Sequence, residues 1–319
     1  MKFTMTAIDT QKHSKPLISF FVMVGCLILC AKPAFGVGGA SLQDNLDLWK
    51  AIVLGVVEGL TEFLPISSTG HLLAGKEFLD LGQTPATEKA IESYIVSIQI
   101  GAICAVAFLY RSRLKQMMQG LQGDSPEGRQ ILTSLIVAFI PTALIGYFIS
   151  DFVKDELYGL GPVAGAWIVG GLCILFVQKK QWFANRGSSL EGLGASRAAI
   201  IGLAQALALW PGVSRSLVTI VAAVLVGLSL KAAVEFSFLL GFVTLTAATV
   251  YEMGTDGQGI IDNFGYLTPS IGIIVAFLAA IVSVRWMVDW LETRSLSIFG
   301  YYRILAGCAV YFLLFVDFF

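Results

Sequence analysis

Ionisable and hydroxyl side chains crowd into one apolar part of the chain, the stretch Glu58-Gly-Leu-Thr-Glu62-Phe-Leu-Pro-Ile-Ser67-Ser68-Thr69-Gly70-His71. Lipid penalises ionisable groups, so acids kept within an apolar chain usually serve a function. Glu58 and Glu62 are four residues apart and therefore share one face of a helix. Pro65 then interrupts that helix and leaves backbone N–H groups free beside the hydroxyls of residues 67–69. Carboxylates beside hydroxyls and free amides favour phosphate chemistry over a purely structural role.

The same pattern returns 147 positions later without a gap. The identities are Gly55/Gly202, Leu60/Leu207 and Ser67/Ser214, and the near matches are Glu58/Gln205, Phe63/Trp210 and Ile66/Val213. Internal repeats of this kind are common in membrane proteins whose site lies near the bilayer midplane. The alignment therefore predicts a chain built from two related halves.

The composition indicates a polytopic membrane protein. Of the 319 residues, 56% are hydrophobic and only 13% are charged, and the mean hydropathy is +0.78. Soluble domains carry about 25% charged residues. The formal net charge of −1 argues against a nucleic-acid partner. Two histidines exclude a histidine cluster, and the five scattered cysteines lack metal-ligand spacing.

Residues 1–36 have the pattern of a signal sequence. Lys2, Lys12 and Lys15 form a basic start, an apolar run covers residues 17–30, and residues 34–36 offer a small-x-small cleavage site. The alternative is an uncleaved anchor. Either interpretation places residue 37 outside the cytoplasm.

Six apolar runs are long enough to cross a hydrocarbon core about 30 Å thick. They are residues 92–110, 131–149, 161–177, 232–251, 268–288 and 299–317. Segments 45–75 and 198–228 are also apolar but contain polar, proline-interrupted breaks. Broken backbone at membrane depth is tolerated only where protein or a watery cavity surrounds it. We therefore predict that both are re-entrant helix hairpins.

The loop charges predict how the chain crosses the membrane. The loops after the first, third and fifth spans hold more Lys and Arg residues than the predicted outside loops, which places them in the cytoplasm. The first set is residues 111, 113, 115, 129, 179, 180, 186, 197 and 294, and the second is residues 76, 89 and 154. Each half is then one hairpin followed by three spans, the first half covering residues 45–177 and the second residues 198–319. Because three is odd, the halves have inverted topology, and their broken tips can meet near the midplane. This arrangement would bring Glu58, Glu62, Ser68 and His71 close to Arg215.

The predicted tips carry the groups that phosphate chemistry needs. Arg215 offers a planar fork that matches phosphate oxygens and stays charged when partly desolvated. Further phosphate-binding candidates are Ser67, Thr69, Gly212, Ser214, Ser216 and Thr219. Glu58 and Glu62 would repel a bare diphosphate, so we expect them to hold a divalent cation such as Mg²⁺ or Ca²⁺, or one of them to act as a general base. Ser68 and His71 suit a nucleophile and a proton carrier.

Structural roles are the alternative for several of these residues. Glu58 and Glu62 can be a buried pair with Arg215 as its salt-bridge partner, and any of the hydroxyls can cap a helix. Arg303 lies at a predicted span end, where its side chain can reach the membrane interface. Most of the six tryptophans, Trp167 among them, fit interfacial anchors.

Two motifs resemble one bacterial family. Gly-Val-Val-Glu58-Gly-Leu-Thr-Glu62-Phe-Leu-Pro-Ile-Ser-Ser68-Thr-Gly-His71 and Leu-Trp-Pro-Gly-Val-Ser214-Arg215-Ser216 closely resemble sequences of the undecaprenyl-diphosphate phosphatases, the bacitracin-resistance proteins. Residues 98–101 and 235–240 are also similar, so that the resemblance covers roughly residues 45–319. Leu217 and Val218 depart from the small residues usual at these positions, whereas Thr219 is retained.

The resemblance implies a function and a location. The expected reaction is hydrolysis of undecaprenyl diphosphate to the monophosphate, with a divalent cation, by Glu58, Glu62, Ser68, His71 and Arg215. The resemblance places the protein in the inner membrane with its site opening to the periplasm. The lipid substrate and surrounding membrane lipid are the expected partners, and a homodimer is left open. Whether Ser68, His71 or a water molecule attacks phosphorus is also open.

Two other functions compete with this one. A lipid phosphatase of the phosphatidic-acid phosphatase type would share the Ser214-Arg215 pair, but it needs a later histidine, and none follows His71. A polyprenyl-phosphate flippase or transporter would share the inverted repeat. Phosphate release by the purified protein separates an enzyme from a flippase.

Overall fold

The computed structural model of this protein describes residues 46–179 and 187–318, all within one packed unit, Asp44–Phe319. The predicted signal sequence, residues 1–36, lies outside the described residues. The described chain is helical apart from an isolated β-bridge between Ser188 and Leu228. Its α-helices are α1 Leu48–Thr61, α2 Ser68–Phe78, α3 Pro85–Leu109, α4 Arg111–Gln122, α5 Pro126–Phe152, α6 Leu160–Lys179, α7 Ala195–Gln205, α8 Arg215–Leu225, α9 Leu230–Phe264, α10 Leu267–Thr293 and α11 Ser297–Phe315. Short π and 3₁₀ turns extend α5 (Val153–Leu157), precede α7 (Leu190–Gly192) and extend α7 (Ala206–Leu209).

The prediction of six membrane-spanning runs is confirmed. Within the described residues, six helices are long and apolar enough to cross a membrane, and each contains one of the predicted runs or most of it. Their spans are Thr87–Leu109, Pro126–Leu157, Leu160–Lys179, Leu230–Thr255, Leu267–Glu292 and Ser297–Phe315. The chain is therefore an all-α, multi-pass membrane protein.

Local sequence signals set the starts of the long helices. Pro85 and Pro126 occupy first helical positions, where a missing N–H costs nothing. The Thr84 and Ser125 side chains accept bonds from the backbone three residues later and so cap α3 and α5. Ser229 caps α9 in the same way.

Small residues let α1 pack closely along α10. A Cβ on Gly55 would lie 2.6 Å from the carbonyl oxygen of Gly272, and one on Gly59 would lie 2.3 Å from that of Ala276. Neither approach leaves room for a side chain, so glycine is required for this contact. Residue numbers increase in the same direction along both helices at these contacts, so α1 and α10 run parallel.

Helix α7 packs along α5 in the corresponding way. A Cβ on Gly202 would lie 2.1 Å from the carbonyl oxygen of Ala138. The Thr142 hydroxyl donates to the carbonyl oxygen of Gly202 (2.7 Å), and the Ser134 hydroxyl donates to that of Leu193 (3.0 Å). These two helices also run parallel.

Helices α3 and α9 run antiparallel. Near the start of α3, Ser93 donates to Glu252 (3.1 Å), which lies far along α9. Just beyond the end of α3, Arg113 pairs with Glu235 (2.5 Å) near the start of α9.

Helices α6 and α11 also run antiparallel. A Cβ on Gly171 would lie 2.7 Å from the carbonyl oxygen of Gly300, whereas one on Gly307 would lie 2.7 Å from that of Ala164.

Both segments predicted to break do break. Helix α1 ends before the first loop, residues 62–67, and α2 begins directly after it. The second loop, residues 210–214, separates the 3₁₀ turn at the end of α7 from α8. The two loops touch, because Ser216 at the start of α8 donates to the carbonyl oxygen of Leu64 (2.8 Å).

Candidate active site

The two loops end in the same unusual backbone conformation. Ser67 has φ 71° and ψ 101°, and Ser214, 147 positions later, has φ 75° and ψ 110°. Positive φ is uncommon for residues other than glycine and is retained where surrounding structure fixes it. In each loop this residue immediately precedes a helix, so the first N–H groups of α2 and α8 open next to the loops.

Glu62, the first residue of the first loop, bonds to a residue of each half. Its Oε1 accepts a hydrogen bond from Arg215 Nη2 (2.9 Å), and its Oε2 accepts one from the Ser68 hydroxyl. All three side chains are largely buried. The predicted approach of the acidic motif to Arg215 is therefore present in the structure, and Glu62 joins a hydroxyl to a guanidinium.

Arg215 is held in place, but one of its three nitrogens has no hydrogen-bond partner. Its Nη1 donates to the carbonyl oxygen of Ser237 on α9 (3.1 Å), and its guanidinium lies 5.7 Å from the centre of the Phe63 ring. Its Nε is buried and has no hydrogen-bond partner. A buried, charged donor without a partner fits an incoming anion.

Glu58 is the opposite case, a buried acceptor. Its side chain is fully buried, and neither carboxylate oxygen has a hydrogen-bond partner. A carboxylate in this state requires a cation or a proton. Among the described residues no group of three or more His, Cys, Asp or Glu side chains could hold a metal ion. Two carboxylates alone would leave most of a cation's ligands to substrate and water oxygens, which Mg²⁺ commonly accepts. The cation at Glu58 and Glu62 stays a prediction.

His71 does not contact Ser68 through either ring nitrogen. Its Nδ1 is 2.6 Å from the carbonyl oxygen of Ser67, and its Nε2 is 2.7 Å from the Tyr302 hydroxyl. The expected Ser68–His71 pair is replaced by the Ser68–Glu62 contact. His71 still lies one turn from Ser68 at the same loop, so its assignment as a catalytic residue stays a prediction.

The hydroxyls at the second loop and in the first turns of α8 are hydrogen-bonded within the protein. The Ser214 hydroxyl caps α8 at the Leu217 N–H (3.3 Å) and lies 3.1 Å from that of Ser216. The Thr219 hydroxyl donates to the carbonyl oxygen of Arg215 (2.8 Å). It also lies 2.7 Å from the Ser237 hydroxyl. These contacts support the position of Arg215, and phosphate binding by the second-loop hydroxyls stays a prediction.

The remaining phosphate-binding candidates lie at the loops themselves. Ser67 ends the first loop, Thr69 is in the first turn of α2, and Gly212 lies in the second loop. Gly212 has φ +95°, and a Cβ there would lie 2.8 Å from the carbonyl oxygen of Val163. Only glycine therefore suits this position.

The prediction that Arg303 reaches the membrane interface is wrong. Its side chain is fully buried and donates to four carbonyl oxygens, at Pro65, Ala166, Trp167 and Gly212. Helix α11 brings it inward because the loops leave unpaired carbonyls at that depth. A single arginine within an apolar run was the available signal, since such residues usually face a protein interior.

Trp167 is also not an interfacial anchor. It is 2% exposed, and the centre of its indole ring lies 4.5 Å from that of His71. Its Nε1 is buried without a hydrogen-bond partner. Tyr302 and Ser237, the other contacts that the sequence did not indicate, come from α11 and α9.

Comparison with known proteins agrees with the geometry. Residues 51–309 match the family described as bacitracin resistance protein BacA. The chain is 40% identical over 268 residues to undecaprenyl-diphosphatase 2 of Rhodospirillum rubrum, covering 84% of this chain and 95% of that protein. It is 38% identical over 275 residues to undecaprenyl-diphosphatase of a Psychrobacter species, with 84% and 95% covered. Because the family match extends over more than half of the sequence, this chain belongs to the BacA family of bacitracin resistance proteins.

Proposed function

We propose that this protein is an integral-membrane phosphatase that hydrolyses undecaprenyl diphosphate to undecaprenyl phosphate and phosphate. The observation that carries this proposal is the buried contact of Ser68, Glu62 and Arg215 between the two loops. A hydroxyl, a carboxylate able to accept its proton and a guanidinium able to bind phosphate oxygens are the groups that phosphoryl transfer requires. The relatives named undecaprenyl-diphosphatase supply the identity of the lipid.

In the first half of the proposed reaction, the Ser68 oxygen attacks the terminal phosphorus. Glu62 accepts the hydroxyl proton through the hydrogen bond already present. The bond between the terminal phosphorus and the bridging oxygen breaks, and undecaprenyl phosphate leaves. Arg215 offers its free Nε to the phosphoryl oxygens, whose charge is stabilised in a site largely closed to water.

In the second half, a water molecule attacks the phosphoserine. Glu62 returns its proton to the Ser68 oxygen as the phosphoserine bond breaks, and it takes one proton from the attacking water. That proton then leaves Glu62 for the released inorganic phosphate or for solvent, so both side chains return to their starting states. Every residue with a role here comes from one chain, so the reaction needs no second copy.

Glu58 and Glu62 would hold a divalent cation through their carboxylate oxygens. When bound, such a cation supplies positive charge that offsets the charge of the diphosphate. The support is the buried Glu58 carboxylate without a donor. We expect Glu58→Gln to raise the Mg²⁺ concentration needed for half-maximal phosphate release by at least about tenfold, as for a lost carboxylate ligand. An unchanged Mg²⁺ dependence would exclude Glu58 as a ligand.

Phosphate release by the purified protein tests the function. We expect the wild-type protein in detergent to release phosphate from undecaprenyl diphosphate faster than from phosphatidic acid. A folded protein that moves the lipid between leaflets of a vesicle and releases no phosphate would instead indicate a flippase. Preference for phosphatidic acid would indicate the phosphatidic-acid phosphatase type.

We infer that the two halves, residues 45–177 and 198–319, are inverted repeats. Helix packing supports this: α1 of the first half runs parallel to α10 of the second, and α7 of the second runs parallel to α5 of the first. The corresponding spans α3 and α9 run antiparallel, as do α6 and α11. Segments 45–75 and 198–228 are then re-entrant hairpins entering from opposite sides, and the site opens to the periplasm of the inner membrane.

Cysteine labelling tests the inverted topology. In a background lacking the native thiols, Tyr158→Cys and Gly257→Cys are expected to react with an impermeant periplasmic reagent, whereas Gln122→Cys and Ser188→Cys are not. The reason is the concentration of Lys and Arg in the predicted cytoplasmic loops. The opposite labelling pattern would reverse the orientation and exclude a periplasmic site.

A further inference from the structure

A single arginine contacts both loops. Arg303 Nη1 donates to the carbonyl oxygen of Pro65 in the first loop (3.2 Å), and Nη2 donates to that of Gly212 in the second (2.9 Å). Pro65 and Gly212 are 147 positions apart, so they are equivalent positions of the internal repeat. One planar side chain therefore binds the same backbone atom in each half.

The guanidinium is also fixed to α6. Its Nη2 donates to the carbonyl oxygen of Ala166 (2.9 Å), and its Nε donates to that of Trp167 (3.3 Å). Gly170 makes room for it, because a Cβ there would lie 2.2 Å from Arg303 Nη2. Arg303 lies on α11, and the span of the first half that corresponds to α11 is α6. Helix α6 has no basic residue before Lys179, so it offers no second arginine equivalent to Arg303.

The energetic cost of this arrangement points to a specific use. Arg303 is fully buried, and within residues 46–179 and 187–318 it forms no ion pair with an acid. A buried charge without a counter-charge is expensive even when hydrogen-bonded. Lysine has a single nitrogen, so it cannot reach four separated carbonyl oxygens as the guanidinium does.

We propose that Arg303 is a positioning residue that sets the separation of the two loops and thereby holds Arg215 against Glu62 and Ser68. Pro65 lies between Glu62 and Ser68, and Gly212 lies three residues before Arg215. Fixing these two carbonyls fixes the guanidinium of one loop relative to the carboxylate and hydroxyl of the other. This inference rests on the proposed phosphatase function.

The test compares variants that move the guanidinium. Arg303→Lys is expected to lower kcat for phosphate release about 100-fold, the loss that an ångström of misplacement produces. Gly170→Ala keeps Arg303 but places a methyl group where its guanidinium lies. It should therefore reproduce most of the loss in kcat. Gly161→Ala is the matched control, since a Cβ at this α6 position meets nothing within 4 Å.

Double variants separate positioning from general destabilisation. Because Gly170→Ala acts through Arg303, adding it to Arg303→Lys should cost less than about threefold more. Arg303→Lys should likewise cost less than about threefold in an Arg215→Lys background, since it acts by aligning Arg215. The first pair shows that Gly170→Ala acts through Arg303, and the second pair tests the role: a merely structural role would multiply the losses in full in the Arg215→Lys background.

The outcomes are distinguishable. If the wild type is active and Arg303→Lys or Gly170→Ala stays within about threefold of it, the positioning role is overturned and the phosphatase function stands. Losses that multiply in full when Arg303→Lys is combined with Arg215→Lys have the same meaning. If Arg303→Lys fails to fold, Gly170→Ala takes its place in the test. It is measured alone and in the Arg215→Lys background, with the same threefold limit. A folded wild type that releases no phosphate overturns the proposed function and the role of Arg303 with it.

Discussion

The first and second loops share a backbone conformation and differ in chemistry. Each ends at a serine with φ between 71° and 75° that immediately precedes a helix. At equivalent positions, however, Glu62 is matched by Leu209 and Ser68 by Arg215. The repeat supplies the same backbone support twice, but the side chains differ. Glu62 and Ser68 place an acid and a hydroxyl at the first loop, and Arg215 places a cation at the second.

The helices before the two loops differ in the same way. Neither carboxylate oxygen of buried Glu58 has a hydrogen-bond partner, whereas the equivalent Gln205 donates to Thr142 (2.9 Å) and leaves only its amide oxygen without a partner. A neutral amide is held by one neighbour, but a buried carboxylate requires a cation or a proton. In the proposed reaction the first half therefore supplies the hydroxyl and the two carboxylates, and the second half supplies the guanidinium that binds phosphate.

The largest expected effect is at the hydroxyl of the first loop. Ser68→Ala is expected to lower kcat by about 10⁴-fold or more, because the nucleophile is removed. Ser67→Ala is the control and should cost far less, since its carbonyl rather than its hydroxyl contacts His71. Acid-quenched protein is then mapped for phosphoserine. Phosphate on His71, or oxygen-18 from water entering the released phosphate with no phospho-enzyme, would remove Ser68 from this role.

A smaller loss is expected at the carboxylate that joins the loops. Glu62→Gln should lower kcat about 10³-fold, because an amide cannot accept the Ser68 proton and no longer pairs with Arg215 as an anion. The volume-conserving change Leu209→Met at the equivalent position should stay within about fivefold of wild type. Equal losses at the two positions would contradict the division of roles between the loops.

The next smaller loss is expected at Arg215, the cation at the second loop. Arg215→Lys is expected to lower kcat/KM about 100-fold although charge is kept, because the fork that serves Glu62, Ser237 and phosphate is lost. Arg197→Lys is the control, because Arg197 lies just before segment 198–228 and donates to the carbonyl oxygen of Val226, near the cytoplasmic end of that segment in the proposed topology. Near-wild-type turnover of Arg215→Lys would exclude the bidentate role.

The smallest expected effect is at the cap of α8. Ser214→Ala should destabilise the protein by about 1 kcal/mol, since it removes the side-chain bond to the Leu217 N–H. Thermal unfolding in detergent measures this loss, and phosphate release should fall less than about tenfold. A larger fall in activity with unchanged stability would show that the Ser214 hydroxyl binds phosphate instead.

The sequence by itself determined the helical class, the six spans and the two breaks. These follow from local properties: apolar length sets a span, and Pro65 and Pro211 interrupt helices wherever they occur. It also indicated that the acidic motif and Arg215 would meet, because an intramembrane charge needs a partner and the repeat placed both at broken tips.

Only the tertiary structure decided which groups touch. Glu62, and not His71, binds the Ser68 hydroxyl, because Tyr302 from α11 and the Ser67 carbonyl occupy the imidazole. Arg303 lies 88 positions after Arg215 in the chain, and its four carbonyl partners come from three separate segments. Such contacts depend on how helices pack across the repeat, and no local pattern in the sequence records that packing.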